Sequence, residues 1–497
     1  MSLRIYGAAA LFLFGSFSAH AHGGLNCADV LKALSKRLAD ATCFVSLDLT
    51  TANEQTTPLN NSLPGLPAFA FTPRTDRDVI SPSPANRTPI TKAVPGLQIQ
   101  ARIASDPTGQ ARFLLRLPND WNGRLVVAGA SGTRSEFNGD FAWSDYVVQK
   151  GYAYASQNKG VLNLRFTDPK TDPLACRLNP DSGLFVHFFT NDPGLSFTRW
   201  TEFMIKAAQI ARAGVRAGYG HPPRHIYAVG TSNGGYQVRR AIEEAPDLFD
   251  GGVDWEGTFV DEPAPNLLTD LPPAVLNFPD YRASGFNAAS TAAKNIMAAG
   301  YPPDIPSNTG TTTLWTNNWN SFWEVTLCQW QKRLDPTYDT YGSGTGTYNY
   351  IARLSVSDVG EQVAAFANTG KVRRPLITVA GTMDALLPID RHARAYARKV
   401  ESASRSKHGD DDDRHHHRHS RPPYRLYEIQ NGTHIETYKD TFSAFELIQP
   451  HAQRAFDLLV QRVERHVTLP PSQCVPRGGS IADNPAQPGH CASLFVP

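Results

Sequence analysis

Past its first two dozen residues, the 497-residue sequence contains no stretch of about twenty apolar residues, so no segment reads as a membrane-spanning helix. Nor does it carry an excess of one charge. Its 48 basic side chains are nearly matched by 46 acidic ones, which leaves no strong field to hold a nucleic-acid backbone or an anionic membrane surface. Metal ligands at fixed spacing are also missing. The one tract dense in candidates, His408 followed by Asp410 to Asp413, His415 to His417 and His419, has neither the spacing nor the supporting residues of a metal site and reads as a solvated loop.

What is present describes an exported globular protein. With 41% apolar residues the chain can bury a large core, as one domain with an insertion or as two domains. Arg4, the apolar run Ala8 to Phe14 and Ala19-His20-Ala21 have the order of an export signal, placing a leader at 1–21 and secretion as the expected fate. Six cysteines suit an oxidising compartment. Proximity favours Cys27 with Cys43 and Cys474 with Cys491, leaving Cys176 with Cys328.

Short β-rich runs at 97–103, 112–117 and 124–127 begin a sheet, after an irregular stretch at 50–95. Helical periodicity over 197–215 precedes a strand at 225–229, and a helix is expected from Tyr236 to Ala245. Strands follow at 376–380 and 424–429, with a final amphipathic helix starting near Pro450. This alternation predicts the α/β-hydrolase fold, a mostly parallel central sheet with helices on both faces. The expected division is core at 22–254, an inserted lid at 255–372 and core again at 373–497. The insertion holds Trp315, Trp319, Trp323 and Trp330, and the first three recur at one-turn spacing. They are read as one stripe of a helix forming the lid's own core, with substrate-facing aromatics as the alternative.

Gly230-Thr231-Ser232-Asn233-Gly234 lies between a predicted strand and a predicted helix, the context that makes G-x-S-x-G informative. Small flanking residues permit a turn tight enough to expose the Ser232 hydroxyl. A serine needs an imidazole to accept its proton and a carboxylate to orient that imidazole. Asp384 and His434 each follow a predicted strand, in the chain order Ser, acid, His. Asp390 and Asp254 compete for the acid, and His392 and His451 for the base. An oxyanion needs donors, here the backbone N–H of Asn233 and one from the Gly129-Ala130-Ser131-Gly132 turn, either Ala130 or Ser131. This chemistry calls for no cofactor and no metal.

The nucleophile segment, with Ala245-Pro246-Asp247-Leu248-Phe249-Asp250-Gly251 after it, resembles the tannase and feruloyl esterase family, as do Phe366-Ala367-Asn368-Thr369-Gly370, Gly381 and Asp384. The resemblance implies an α/β-hydrolase with a lid between nucleophile and acid, acting on an ester of a bulky or aromatic acid. By position it assigns Ser232 as nucleophile, Asp384 as acid and His434 as base. Where members of that family commonly have bonded cysteines before the serine and after the histidine, this chain has Thr231 and Ile435, and its insertion lacks the Asp-rich loop that would suggest calcium. The expected function is that of a secreted serine esterase acting on a small or polymeric ester, a polyester, oligoester or phenolic ester. A secreted serine peptidase and a non-catalytic binding protein are the alternatives.

Overall fold

Apolar runs punctuated by Gly and Pro turns form strands β1 (Leu38–Ser46), β2 (Gly96–Ile103), β3 (Arg112–Pro118), β4 (Arg124–Gly129), β5 (Ala153–Gln157), β6 (Leu164–Arg165), β7 (Val186–His187), β8 (His225–Thr231), β9 (Gly251–Trp255), β10 (Leu376–Gly381), β11 (Tyr424–Ile429) and β12 (Gln473–Val475). The structure, a computed structural model, describes residues 24–59, 72–78, 82–132, 135–161, 164–165, 186–187, 196–338, 348–405 and 424–497. The expected leader at 1–21, Cys176 and the tract at 408–419 lie outside the described residues.

Ten strands make one sheet in the order β1-β2-β3-β5-β4-β8-β9-β10-β11-β12. Pairings from β1 to β5 are antiparallel, and every neighbour from β5 through β12 is parallel. The parallel strands β5, β9 and β10 are buried along their whole length, as strands covered on both faces must be. On one face lie the helices Thr198–Tyr219, Asn233–Glu244 and Ala393–Arg405, which contribute Phe203, Met204, Val238, Ile242, Tyr396 and Val400 to a shared core. Across the sheet, Val147, Val148, Ala452, Phe456 and Leu459 from Asp145–Val148 and Gln449–Arg465 form the second core. Strand order, helices on both faces and a serine on the turn after β8 constitute an α/β-hydrolase fold. Strands that were not expected include β1, which pairs at the edge with β2, β9, which lies between β8 and β10, β12, which adds a strand beyond β11, and the separate pair β6 and β7.

The chain between β9 and β10 is helical among the described residues: Leu267–Ala283, Thr291–Ala298, Leu314–Ser321, Trp323–Leu334, Tyr350–Arg353 and Val359–Ala364. The tryptophan stripe does not lie on one helix. The helical backbone breaks at Phe322 (φ −135°), yet Trp315, Trp319, Trp323 and Trp330 are all buried in one cluster with Phe278 and Tyr281. That cluster includes Met383, Ala385 and Leu387 from the turn after β10, and the Trp323 indole N–H donates to the Ala385 carbonyl at 2.6 Å. The chain between β9 and β10 is thereby tied to the turn bearing Asp384. Disulfides join Cys27 to Cys43 and Cys474 to Cys491, the latter holding the segment after β12 beneath β11.

Candidate active site

β8 ends at Thr231 and a helix starts at Asn233, so Ser232 must reverse the chain in a single residue. It adopts φ 59° and ψ −124°, a left-handed backbone rare outside glycine. Two glycines make the turn possible. A Cβ on Gly230 would fall 2.3 Å from the Gly234 carbonyl oxygen, and one on Gly234 would fall 2.7 Å from that of Gly129. The Ser232 N–H donates to the Trp255 carbonyl at 2.9 Å, fixing the turn to β9.

Ser232 Oγ lies 3.0 Å from His434 Nε2, and His434 Nδ1 lies 2.8 Å from Asp384 Oδ2. The other Asp384 oxygen accepts the N–H groups of Leu386 and Leu387 at 2.8 and 2.7 Å, which locks the carboxylate's rotation. Residues that sequence places 202 positions apart thus form one continuous hydrogen-bonded line. Asp384 is fully covered and Ser232 and His434 nearly so, and exclusion of water strengthens each of these contacts.

The competing residues have other work. Asp254 is buried against Arg239 Nε at 2.5 Å and accepts from Thr378 and the Gly257 N–H. Asp390 pairs with Arg394 at 3.0 Å. His392 Nδ1 accepts the Phe259 N–H at 3.0 Å, and burial holds its pKa well below the usual imidazole value. Burial brings His451 down to about 4.

The oxyanion donors expected from the turn after β4 require correction. Ala130 N–H donates to Gln237 Oε1 at 2.8 Å and Ser131 N–H to Asn138 Oδ1 at 3.1 Å, so neither is free in this arrangement. Lys159 fixes the turn further, its ammonium donating to the Ser131 carbonyl at 2.8 Å and to that of Gly132. Asn233 opens its helix, so its N–H has no intrahelical acceptor. Asn138 Nδ2 is buried without a partner and lines a cleft with Thr231, Trp255, His434, Glu436 and Gln449.

Sequence reasoning missed Glu256, the residue directly after β9. Its Oε2 lies 3.7 Å from His434 Nδ1 and its Oε1 accepts the Gly381 N–H at 2.9 Å. Its place at the carboxyl end of a strand beside the nucleophile strand would have been a signal, but that strand, β9, was not expected from the sequence. Glu436 is also buried at the site, where burial pushes its carboxyl up to about 8 against the opposing N–H groups of Ile448 and Gln449.

The sheet order and the strained serine on the turn after β8 define an α/β-hydrolase fold, with Ser232, His434 and Asp384 aligned at the carboxyl ends of its strands. Residues 327–493, which include Asp384 and His434, match the family described as 3HB-oligomer hydrolase (3HBOH). Over 144 residues the chain is 28% identical to the mono(2-hydroxyethyl) terephthalate hydrolase of Piscinibacter sakaiensis, a match spanning 29% of this chain and 23% of that protein. Similar solved structures include an esterase from Aspergillus oryzae (14% identity, TM-score 0.49, 89% of this chain and 90% of that one). The feruloyl esterase B of the same organism is another (13% identity, TM-score 0.45, 89% and 91%). A third is the tannin acyl hydrolase of Aspergillus niger (15% identity, TM-score 0.42, 89% and 87%).

Proposed function

We propose that the chain is a secreted carboxylic ester hydrolase working through an acyl-enzyme on Ser232, with His434 as general base and Asp384 as the acid that orients it. The observation carrying this reading is the continuous line of 3.0 and 2.8 Å contacts from Ser232 through His434 to Asp384. Ser232 Oγ attacks the ester carbonyl carbon while His434 Nε2 takes its proton, and Asp384 stabilises the imidazolium that forms. Collapse of the tetrahedral adduct breaks the bond to the alcohol, which leaves with the proton from His434. Water, deprotonated by His434, then attacks the acyl-enzyme and releases the acid. For the oxyanion we assign the Asn233 N–H, and in place of Ala130 or Ser131 the unpartnered Nδ2 of Asn138.

The substrate we favour is a short oligoester of a hydroxyalkanoic acid, because the 3HB-oligomer hydrolase match spans both Asp384 and His434. An aryl monoester is the second reading, supported by the similarity to a terephthalate monoester hydrolase. We read 255–372 as a lid over a core made of 22–254 and 373–497. The sequence at 1–21, read as a leader, and the two disulfides support export.

The test is turnover of a 3-hydroxybutyrate trimer, mono(2-hydroxyethyl) terephthalate, a feruloyl ester, a galloyl ester and a peptide amide by wild type and Ser232→Ala. The trimer should be hydrolysed fastest, and the variant should lose kcat by about 10⁴-fold or more with its fold intact. Faster cleavage of the amide would replace the esterase reading with a peptidase one. Near wild-type turnover by Ser232→Ala would refute the mechanism.

A further inference from the structure

We propose that Glu256 is a positioning residue at His434, a second carboxyl standing beside Asp384 at the ring's Nδ1 that takes over the orienting role when Asp384 is lost. This rests on the hydrolase reading above.

The geometry begins with strand order. β9 lies between β8, which carries Ser232, and β10, which carries Asp384, so the residue after β9 emerges between nucleophile and acid. Glu256 is turned back into that space by φ 51°. Such a backbone is costly outside glycine and persists where the surroundings impose it. Here they do: the Glu256 N–H donates to the Val379 carbonyl at 2.8 Å, and its Oε1 takes the Gly381 N–H at 2.9 Å. With one oxygen anchored, the other is aimed. Oε2 is buried without a hydrogen-bond partner and lies 3.7 Å from His434 Nδ1. A small tilt of the imidazole closes that gap to hydrogen-bond distance. A carboxylate oxygen of Glu256, one of Asp384 and a ring nitrogen of His434 all fall within 4.8 Å of one another.

A carboxyl that merely braced the Gly381 loop would need only Oε1, and glutamine would serve as well. The charges at the site separate the two roles. Burial, then the Asp384 carboxylate and Glu436, push the Glu256 carboxyl well above the usual range, opposed by the Gly381 N–H and the Trp255 side chain. Asp254, on the same strand, is neutralised by Arg239. In the wild type Glu256 therefore holds its proton more tightly than an ordinary carboxyl, while its Oε2 stands beside the Asp384 carboxylate at the His434 ring. Removing Asp384 removes its repulsion, so Glu256 ionises at lower pH and its Oε2 can accept the His434 Nδ1–H.

The test is the rate at which a fluorophosphonate labels Ser232, a reaction independent of the natural substrate. Ser232 Oγ bonds to phosphorus, fluoride leaves, and the serine proton passes to His434. Wild type, Asp384→Ala and Asp384→Ala/Glu256→Gln are compared from pH 5 to 10. Asp384→Ser, which keeps an acceptor for the Leu386 N–H, replaces Asp384→Ala in both backgrounds if the alanine variant fails to fold. Asp384→Ala should label about a thousandfold more slowly than wild type, with a rate that climbs as Glu256 ionises. Adding Glu256→Gln should flatten that climb and lower the rate at least tenfold further at the alkaline end. Equal rates for the single and double variants at every pH would overturn the proposal while leaving the hydrolase reading standing. A wild-type protein that is not labelled at all would overturn both.

Discussion

At the scale of single residues, activity depends on how little room surrounds Ser232. The serine keeps its left-handed backbone because β4, the turn after β8 and the following helix meet at glycines. A Gly230→Ala side chain would sit 2.3 Å from the Gly234 carbonyl oxygen and 2.4 Å from its carbon, both main-chain atoms that cannot swing aside. The helix start must shift instead, moving the Ser232 hydroxyl away from His434 Nε2. Gly230→Ala should cost about 1–3 kcal/mol by denaturant unfolding and about a hundredfold in kcat. Wild-type turnover in that variant would show that the turn has slack. That Ser232, Asp384 and His434 come together was legible in the sequence because each follows a strand. Glu256 was not, since its reach to His434 depends on a positive φ and on the turn after β10, more than a hundred residues away. Likewise, the loop position of Ala130 and Ser131 suggested oxyanion donors, but where their N–H groups point is decided by Gln237 and Asn138, which only the folded chain brings alongside.

At the scale of elements, the insertion and the acid turn share one core. The Trp323 indole donates to the Ala385 carbonyl at 2.6 Å, one residue from Asp384. Trp323→Phe keeps most of the packing volume but leaves a buried carbonyl unpaired, a loss of about 1–3 kcal/mol. It should lower the melting temperature and reduce kcat more than it raises KM, because the loosened turn carries the orienting carboxylate. A change confined to KM would mean that the insertion contacts substrate without bracing the acid. The buried parallel strands β4, β8, β10 and β11 were readable as short apolar runs, whereas β9, with two glycines and Asp254 in five residues, was not. β1 and β12 escaped for opposite reasons: β1 is an edge strand whose burial alternates irregularly, and β12 is three residues long, too short to display a period. The tryptophan spacing correctly marked a core, but it could not reveal the break at Phe322, because rings from two helices converge on Phe278 as readily as rings from one.

At the scale of the whole molecule, folding buries an unusual set of carboxyls. Burial raises Glu136, Asp145 and Asp270 to about 7, Asp304 to about 6 and Glu436 to about 8. Each binds its proton more tightly folded than unfolded, so its contribution is complete below the ordinary carboxylate range and is lost as pH rises through the folded value. The buried His392 and His451 act in the opposite sense, but their contribution is complete once pH exceeds the ordinary imidazole value of about 6.5. Above that point only the carboxyls change. The melting temperature should therefore fall between about pH 6.5 and 8, and a rise over that window would contradict the burial of these groups as neutral acids. The same covered interior isolates the Ser232, His434 and Asp384 line from water, and the account stands or falls on whether that line activates the serine. The direct measurement is the stoichiometry and position of fluorophosphonate labelling in the purified protein, read by peptide mass mapping. One phosphonyl group per chain on the peptide bearing Ser232, absent from Ser232→Ala and His434→Ala, is the predicted result. Labelling at another residue, or none, would contradict it.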